Sequence, residues 1–412
     1  MSMDMPARID IATFSPRLLA AAPHRLLFFV GAANVLLAMA WWTLWLVNAR
    51  WPMFAMPQPS IPAGWMHALV MQYQVLTPFI FGFLLTVFPR WMSLPALSRW
   101  HYVPVGLGLF GGQLLTLAGL CGFAPLLYLG FVFTLAGWLA GLSFLIKLLW
   151  QDTQMTWHAI SCASALVLGL IGLGLVFGYL FTGNARLMFA AIKFGSFGLL
   201  LPVYFTVNHR MIPFFASAAL PGYRMFRPML LLAAFWALTM LHLGLELVHG
   251  YAFLWLADVP LVAICSVLLW RWWPRAPMPA LLRVLLLGFA WLPIAFALFA
   301  LQSAWFAATD QFVLGRAPAH ALFIGYFGSL LVAMVTRVTQ GHSGRPLVLG
   351  RMAAFAFVLV QCVAVVRIVA ELRPDALAWQ AVAGLGWLFA FTPWVLRSLS
   401  IYVRPRADGK PD

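Results

Sequence analysis

Apolar residues run along this chain in stretches of about twenty, and short clusters of proline, glycine, arginine and other polar residues interrupt them. A helix needs roughly 20 mainly apolar residues to cross the hydrocarbon of a bilayer. The pattern therefore predicts about twelve transmembrane helices, at 26–47, 65–88, 102–120, 123–149, 157–181, 186–207, 228–249, 251–271, 282–304, 318–338, 350–371 and 376–400. The fold class is all-α, a polytopic membrane protein. One helical domain occupies 26–402, flanked by a cytoplasmic segment 1–25 and a short polar tail 403–412. The first segment has no apolar core of its own, so no cleaved signal peptide is expected. Function must be carried by helices and short loops.

The basic residues test this count independently. With both termini cytoplasmic, nineteen of the 25 Lys and Arg residues fall in inner segments and four (Arg50, Arg186, Arg316, Arg373) in outer ones, leaving Lys193 and Arg367 within spans. That asymmetry is the positive-inside pattern. It accounts for the formal net charge of +15, through orientation and attraction to anionic lipid heads. Membrane lipids are thus the partners the charge implies, and nucleic acid is not.

Composition excludes the soluble alternatives. Of 412 residues, 64% are hydrophobic and 8% charged, against about 25% charged in a globular domain, so a water-facing surface could not be covered. Cys121, Cys162, Cys265 and Cys362 lie scattered with no CxxC spacing, as packing thiols do.

An internal echo runs through the spans. The second, sixth and tenth each end at an arginine: Thr86 to Arg90 (TVFPR), Thr206 to Arg210 (TVNHR) and VTRV around Arg337. The sixth and tenth also share Gly195, Phe197, Gly198 and Thr206 against Gly325, Phe327, Gly328 and Thr336, at identical spacing. Three four-helix units around a common centre would produce this, with the related helices as walls of a site; chance recurrence of common residues would produce it equally well.

Ionisable residues in hydrocarbon are costly and usually mark function or a partner. In the seventh span His242, Glu246 and His249 fall on one helical face, a donor set suited to a first-row metal or to a hydrogen-bonded His–Glu pair with His249 at the water boundary. In the second span His67 and Met71 offer an imidazole and a thioether one turn apart, ligand types for copper or haem iron. His320 opens the tenth span at a similar depth, so His67 and His320 could clamp a haem from two helices. Lys193, Asp258, Arg367 and Glu371 lie in the same outer half and could serve propionates or a proton path, or neutralise one another. The inner side carries His101, His158, HRMIPFF from His209 to Phe215, and TRVTQGHSGRP from Thr336 to Pro346. There His342 and Arg345, each beside a glycine, could grip an anion such as a propionate.

At these residues the sequence resembles the NnrS family, polytopic bacterial inner-membrane proteins associated with haem, copper and the nitric oxide response. The resemblance is carried by MHALVM before GFLLTVFPRW, by VNHRMIPFF followed by Arg227 and Pro228, and by HALFIGYFGSLLVAMVTRVTQGHSGRPL. It implies roles for His67, Arg210, Pro213, His320, Arg337, His342 and Arg345, with His209 beside Arg210. The family's second helix commonly reads W-H-A-H-E-M, whereas this chain has His67, Ala68, Leu69, Val70 and Met71. Either one metal or proton site is lost, or His242 and Glu246 supply equivalent groups.

The resemblance implies a b-type haem, with copper as a further metal, and a protein that binds or converts nitric oxide or protects against it. A converting enzyme would be a membrane oxidoreductase and would need an electron donor. The alternative is a proton-coupled secondary transporter using Glu246. Against it, the loop PRWMSLPALSRWH lacks the acidic residue and basic cluster usual in major facilitator proteins. A haem–copper oxidase core is excluded, because its adjacent histidines and His-Pro-Glu-Val-Tyr segment are absent from the chain.

Overall fold

A computed structural model describes residues 14–410, leaving Arg8 and most of the segment before the first span outside the described residues. Among the described residues, twelve helices are long and apolar enough to cross a membrane: α1 Pro23–Arg50, α2 Ala63–Trp91, α3 Arg99–Leu120, α4 Ala124–Gln151, α5 Trp157–Thr182, α6 Ala185–Ala219, α7 Met229–Leu247, α8 Tyr251–Trp272, α9 Ala280–Thr309, α10 Ala317–His342, α11 Arg351–Ala370 and α12 Ala376–Tyr402. Among the described residues there is no strand. The predicted spans correspond one to one, and the close turns near Cys121 and Gly250 are genuine reversals, with Gly122 at φ 113° and His249 at φ 57°.

Two helices run further than their apolar stretches predict. Helix α6 continues from 207 to Ala219 and α10 from 338 to His342. In α6 a proline, Pro213, sits inside the helix, where it removes one donor. The polar side chains one turn before it are bonded across helices: Asn208 donates to the Tyr326 hydroxyl at 2.8 Å, and the His209 ring is bonded at both nitrogens. Hydropathy marks where the hydrocarbon ends, whereas the backbone stays helical as far as side-chain partners support it.

The helices pack in the order the echo suggests. Helices α1, α5 and α9 each pack on the next helix, α2, α6 or α10, while α3 packs on α4, α7 on α8 and α11 on α12. Helix α1 also packs along α12, closing the ring, and both termini meet there. Ser15 N–H donates to Val403 at 2.9 Å, and the Arg25 guanidinium donates to the carbonyls of Tyr402 and Arg404 at 3.0 and 2.7 Å. This terminus-bearing face is called the basic end below.

Helices α2 and α10 are the two most enclosed spans. All three echoed helices also change to π-helical winding over Met71–Val75, Phe194–Leu200 and Ala321–Gly328. These stretches begin 15, 12 and 15 residues before Thr86, Thr206 and Thr336. Recurrence of a rare winding at matching depth supports the repeat far better than shared Gly, Phe and Thr do, and such bulges are frequent at functional sites.

Each bulge frees backbone groups that must find partners. In α2 the Thr77 hydroxyl donates to the Gln72 carbonyl at 2.9 Å. The polar residues of the bulge bind outward: Gln72 to Ser196 (2.9 Å) and Tyr73 to the Ala191 carbonyl (2.7 Å) on α6, and Gln74 to Thr116 (2.9 Å) and Thr134 (2.8 Å) on α3 and α4. Asn34 of α1 donates to the Gln74 carbonyl at 2.8 Å. One bulge thus ties four helices to α2.

Helices α3 and α4 meet through small residues, which let backbones approach where lipid offers no hydrophobic drive. A Cβ at Gly137 would stand 3.0 Å from Gly108 Cα, Leu109 N and Val105 O. Gly137→Leu is therefore expected to force the pair apart at a cost of about 1–3 kcal/mol. Gly174→Leu, at an exposed position with nothing within 4 Å, should leave stability unchanged. Thermal unfolding of both variants in detergent checks this, and equal midpoints would contradict the packing argument.

Candidate functional site

At the end away from the termini, α2 and α10 present the two predicted histidines close to each other. His67 stacks on Trp42, with ring centroids 4.4 Å apart and planes 8° apart, and its nitrogens have no protein hydrogen bond among the described residues. Near it, His320 Nδ1 bonds the Arg316 carbonyl at 2.9 Å. That bond fixes the tautomer and leaves Nε2 as an unprotonated donor atom, as in many metal-ligating histidines. The charges of Arg316 and Arg367 act on both rings, and the His67 imidazole acts on His320. Arg367 is buried and paired with Glu371, which also accepts from the Arg316 backbone N–H at 3.2 Å. Met71 keeps its turn, its N–H bonding back toward His67.

The same end holds a polar cavity of about 370 Å³, lined by Lys193, Glu246, Tyr251, Gln302, Ser303 and Arg316 among others. Behind it lies a chain of buried charges. Lys193 Nζ pairs with Glu246 at 2.8 Å, Glu246 lies 3.7 Å from His242 Nε2, and His242 Nδ1 bonds Asp258 at 2.7 Å.

This geometry corrects the predicted metal face of His242, Glu246 and His249. The helix stops at Leu247, His249 takes a left-handed backbone conformation and bonds the Tyr251 hydroxyl at 2.7 Å, and its exposed ring leaves the face. The Lys193 ammonium sits against Glu246 where a cation would have to sit. Among the described residues no three His, Cys, Asp or Glu side chains converge as metal ligands do. His242 and Glu246 belong to an ion-pair network.

The basic-end candidates divide into two groups. His209 is fully used: Nδ1 pairs with His158 Nε2 at 3.0 Å and Nε2 donates to the Pro228 carbonyl at 3.2 Å. Arg210 lies over the Trp91 ring at 4.4 Å and Arg337 over Phe215 at 3.9 Å, so each arginine packs on an aromatic of the preceding echoed helix. His101 is bonded locally to Ser98. By contrast, His342 and Arg345 join a cluster of basic residues with His24, Arg25, Arg404 and Arg406. His24 escaped the sequence reading because it stands just before the first apolar run, among residues that read as solvated.

Between the two ends, α1, α2, α6 and α10 enclose a small apolar cavity of about 60 Å³, lined by Phe28, Phe79, Tyr204, Leu331 and Val335 among others. The three echoed helices supply most of its walls. From His320 to His342 α10 advances about 33 Å at 1.5 Å per residue. The His67–His320 pair and the His342–Arg345 loop therefore belong to different sites.

A family model described as NnrS protein matches residues 18–406 of the chain. The chain belongs to the NnrS family. No curated protein matches it.

Proposed function

We propose that this multi-pass protein carries haem at the His67–His320 pair and acts in the nitric oxide response, as a binder, a protective protein or an oxidoreductase. The observation that carries the reading is the pairing itself. Two imidazoles approach from the most enclosed helices, one already oriented through Nδ1 with Nε2 free, and two guanidinium groups stand beside them.

The residues fit the group. His67 and His320 suit iron, while Arg316 and Arg367 suit the two carboxylates that haem bears. Trp42 holds the His67 ring plane, and the Arg316 carbonyl holds that of His320. Haem supplies, when bound, an iron that takes nitric oxide as a ligand. The apolar cavity among the same inner helices suits a small neutral diatomic and excludes ions. Copper is the alternative occupant at His67 and Met71, whose imidazole and thioether suit it. The bacterial inner membrane is the location proposed, from family membership.

The test is haem content per chain, with iron and copper analysis, in protein purified from cells supplied with both metals. About one haem per chain is the proposed result; colourless, metal-free protein would leave the proton-coupled transporter reading, which Glu246 beside its cavity favours. A companion variant separates the two ends. His209→Ala should keep full haem while losing about 1–3 kcal/mol of stability, because His158 loses its partner in a buried setting. Loss of haem in that variant at unchanged stability would move the site to the basic end.

A further inference from the structure

The basic end gathers basic side chains, a few of whose buried nitrogens have no hydrogen-bond partner. Three separate elements bring them together: the start of α1 (His24, Arg25), the loop after α10 (His342, Arg345) and the tail after α12 (Arg404, Arg406). The His24 and His342 rings lie 4.2 Å apart at 34°. The tail is strapped onto the loop, Ala407 N–H donating to Ser343 at 2.9 Å and Arg406 to the His342 carbonyl at 3.0 Å.

Asp408 is the acid seen in this cluster among the described residues, and it is committed. It takes the Arg406 fork at 2.9 and 2.6 Å, and that guanidinium holds its carboxyl down at about 2. Three buried nitrogens then remain without a hydrogen-bond partner: Arg345 Nη1, Arg404 Nε and His24 Nδ1. His24 is only 5% exposed. Arg345 is half-buried, and its burial, with Arg397, Arg404 and Arg25 nearby, pushes its guanidinium below the usual value. A guanidinium cannot shed its charge within a protein. A desolvated N–H group left without an acceptor is destabilising, more so when it carries charge.

We propose that the Arg345, Arg404 and His24 cluster is a binding site for a phosphate-type oxyanion. Donors arriving from three elements exceed what a planar carboxylate accepts along its fork, whereas a tetrahedral anion offers oxygens in several directions. The propionates of a haem at His67 and His320 cannot reach it across about 33 Å of α10. The site lies at the end of the spans, so its phosphate comes either from a lipid headgroup or from solution. It does not depend on the haem reading.

The experiment measures binding of inorganic phosphate to detergent-purified protein by calorimetry, and retention of phosphatidylglycerol in nanodiscs by native mass spectrometry. Arg345→Gln, Arg404→Gln and the exposed-arginine control Arg351→Gln are run beside the wild type. Wild-type phosphate binding that weakens at least about tenfold in Arg345→Gln and Arg404→Gln, and is unchanged in Arg351→Gln, supports a dissolved anion. Lipid retention lost in the same two variants alone supports a headgroup. Arg345→Lys keeps the charge and loses the fork, so partial recovery is expected. The proposal is overturned if wild type takes up neither probe, or if Arg351→Gln weakens binding as much as the other two. The wild-type arm decides this even if a variant unfolds.

Discussion

With haem held as proposed at the His67–His320 pair, replacing His320 by alanine is expected to strip it from the protein while the twelve-helix bundle stays in the membrane. Loss of a partner that merely orients a metal ligand costs about 10–100-fold in affinity. Removing the ligand itself should exceed that, and on purification the chain should emerge nearly haem-free. His320 makes one bond to the protein, to the carbonyl one turn earlier in its own chain, so truncation removes no tie between helices and stability should change little. His67→Ala should lose haem likewise, with a larger structural effect because the ring is stacked on Trp42. Haem content and thermal midpoint measured on the same samples check this, and full haem in His320→Ala removes it from the ligand pair.

The second large effect concerns the buried charges beside the polar cavity. Lys193→Ala leaves Glu246, 4% exposed, facing His242 with no ammonium beside it. Breaking a buried pair by removing one partner costs about 3–5 kcal/mol, and the partial exposure of Lys193 places this near about 3. The double variant Lys193→Met with Glu246→Leu removes both charges and should regain most of that loss. Thermal unfolding of wild type, single and double variants gives the coupling directly. A double variant as unstable as the single would show that the cost comes from lost packing.

Most of the architecture was legible because hydrocarbon imposes one rule, runs of about twenty apolar residues, and the arginines add an independent check on direction. The repeat was legible only as a faint echo of glycines and threonines. Its stronger sign, three π-helical stretches at matching depth, depends on how Gln72, Tyr73 and Gln74 and their counterparts bond across helices, and period alone carries no such information. For the site, His67 and His320 fell at one end as expected, since depth along a span can be counted from its boundaries.

The His242, Glu246 and His249 face failed for a local reason. A helical wheel assumes the helix continues, and α7 stops at Leu247 where the chain must reverse before Tyr251. His209 and His24 show the complementary limit. Whether a histidine is free or spent depends on partners far away in sequence, His158 in one case and His342 in the other.

The central claim is a haem at the His67–His320 pair that meets nitric oxide. Absorption spectra of the purified protein, oxidised, reduced, and reduced with nitric oxide, test it most directly when wild type and His320→Ala are compared. The account predicts a Soret band in the wild type that shifts on adding nitric oxide and is absent from His320→Ala. A wild-type spectrum without a Soret band, from cells supplied with iron, would contradict it.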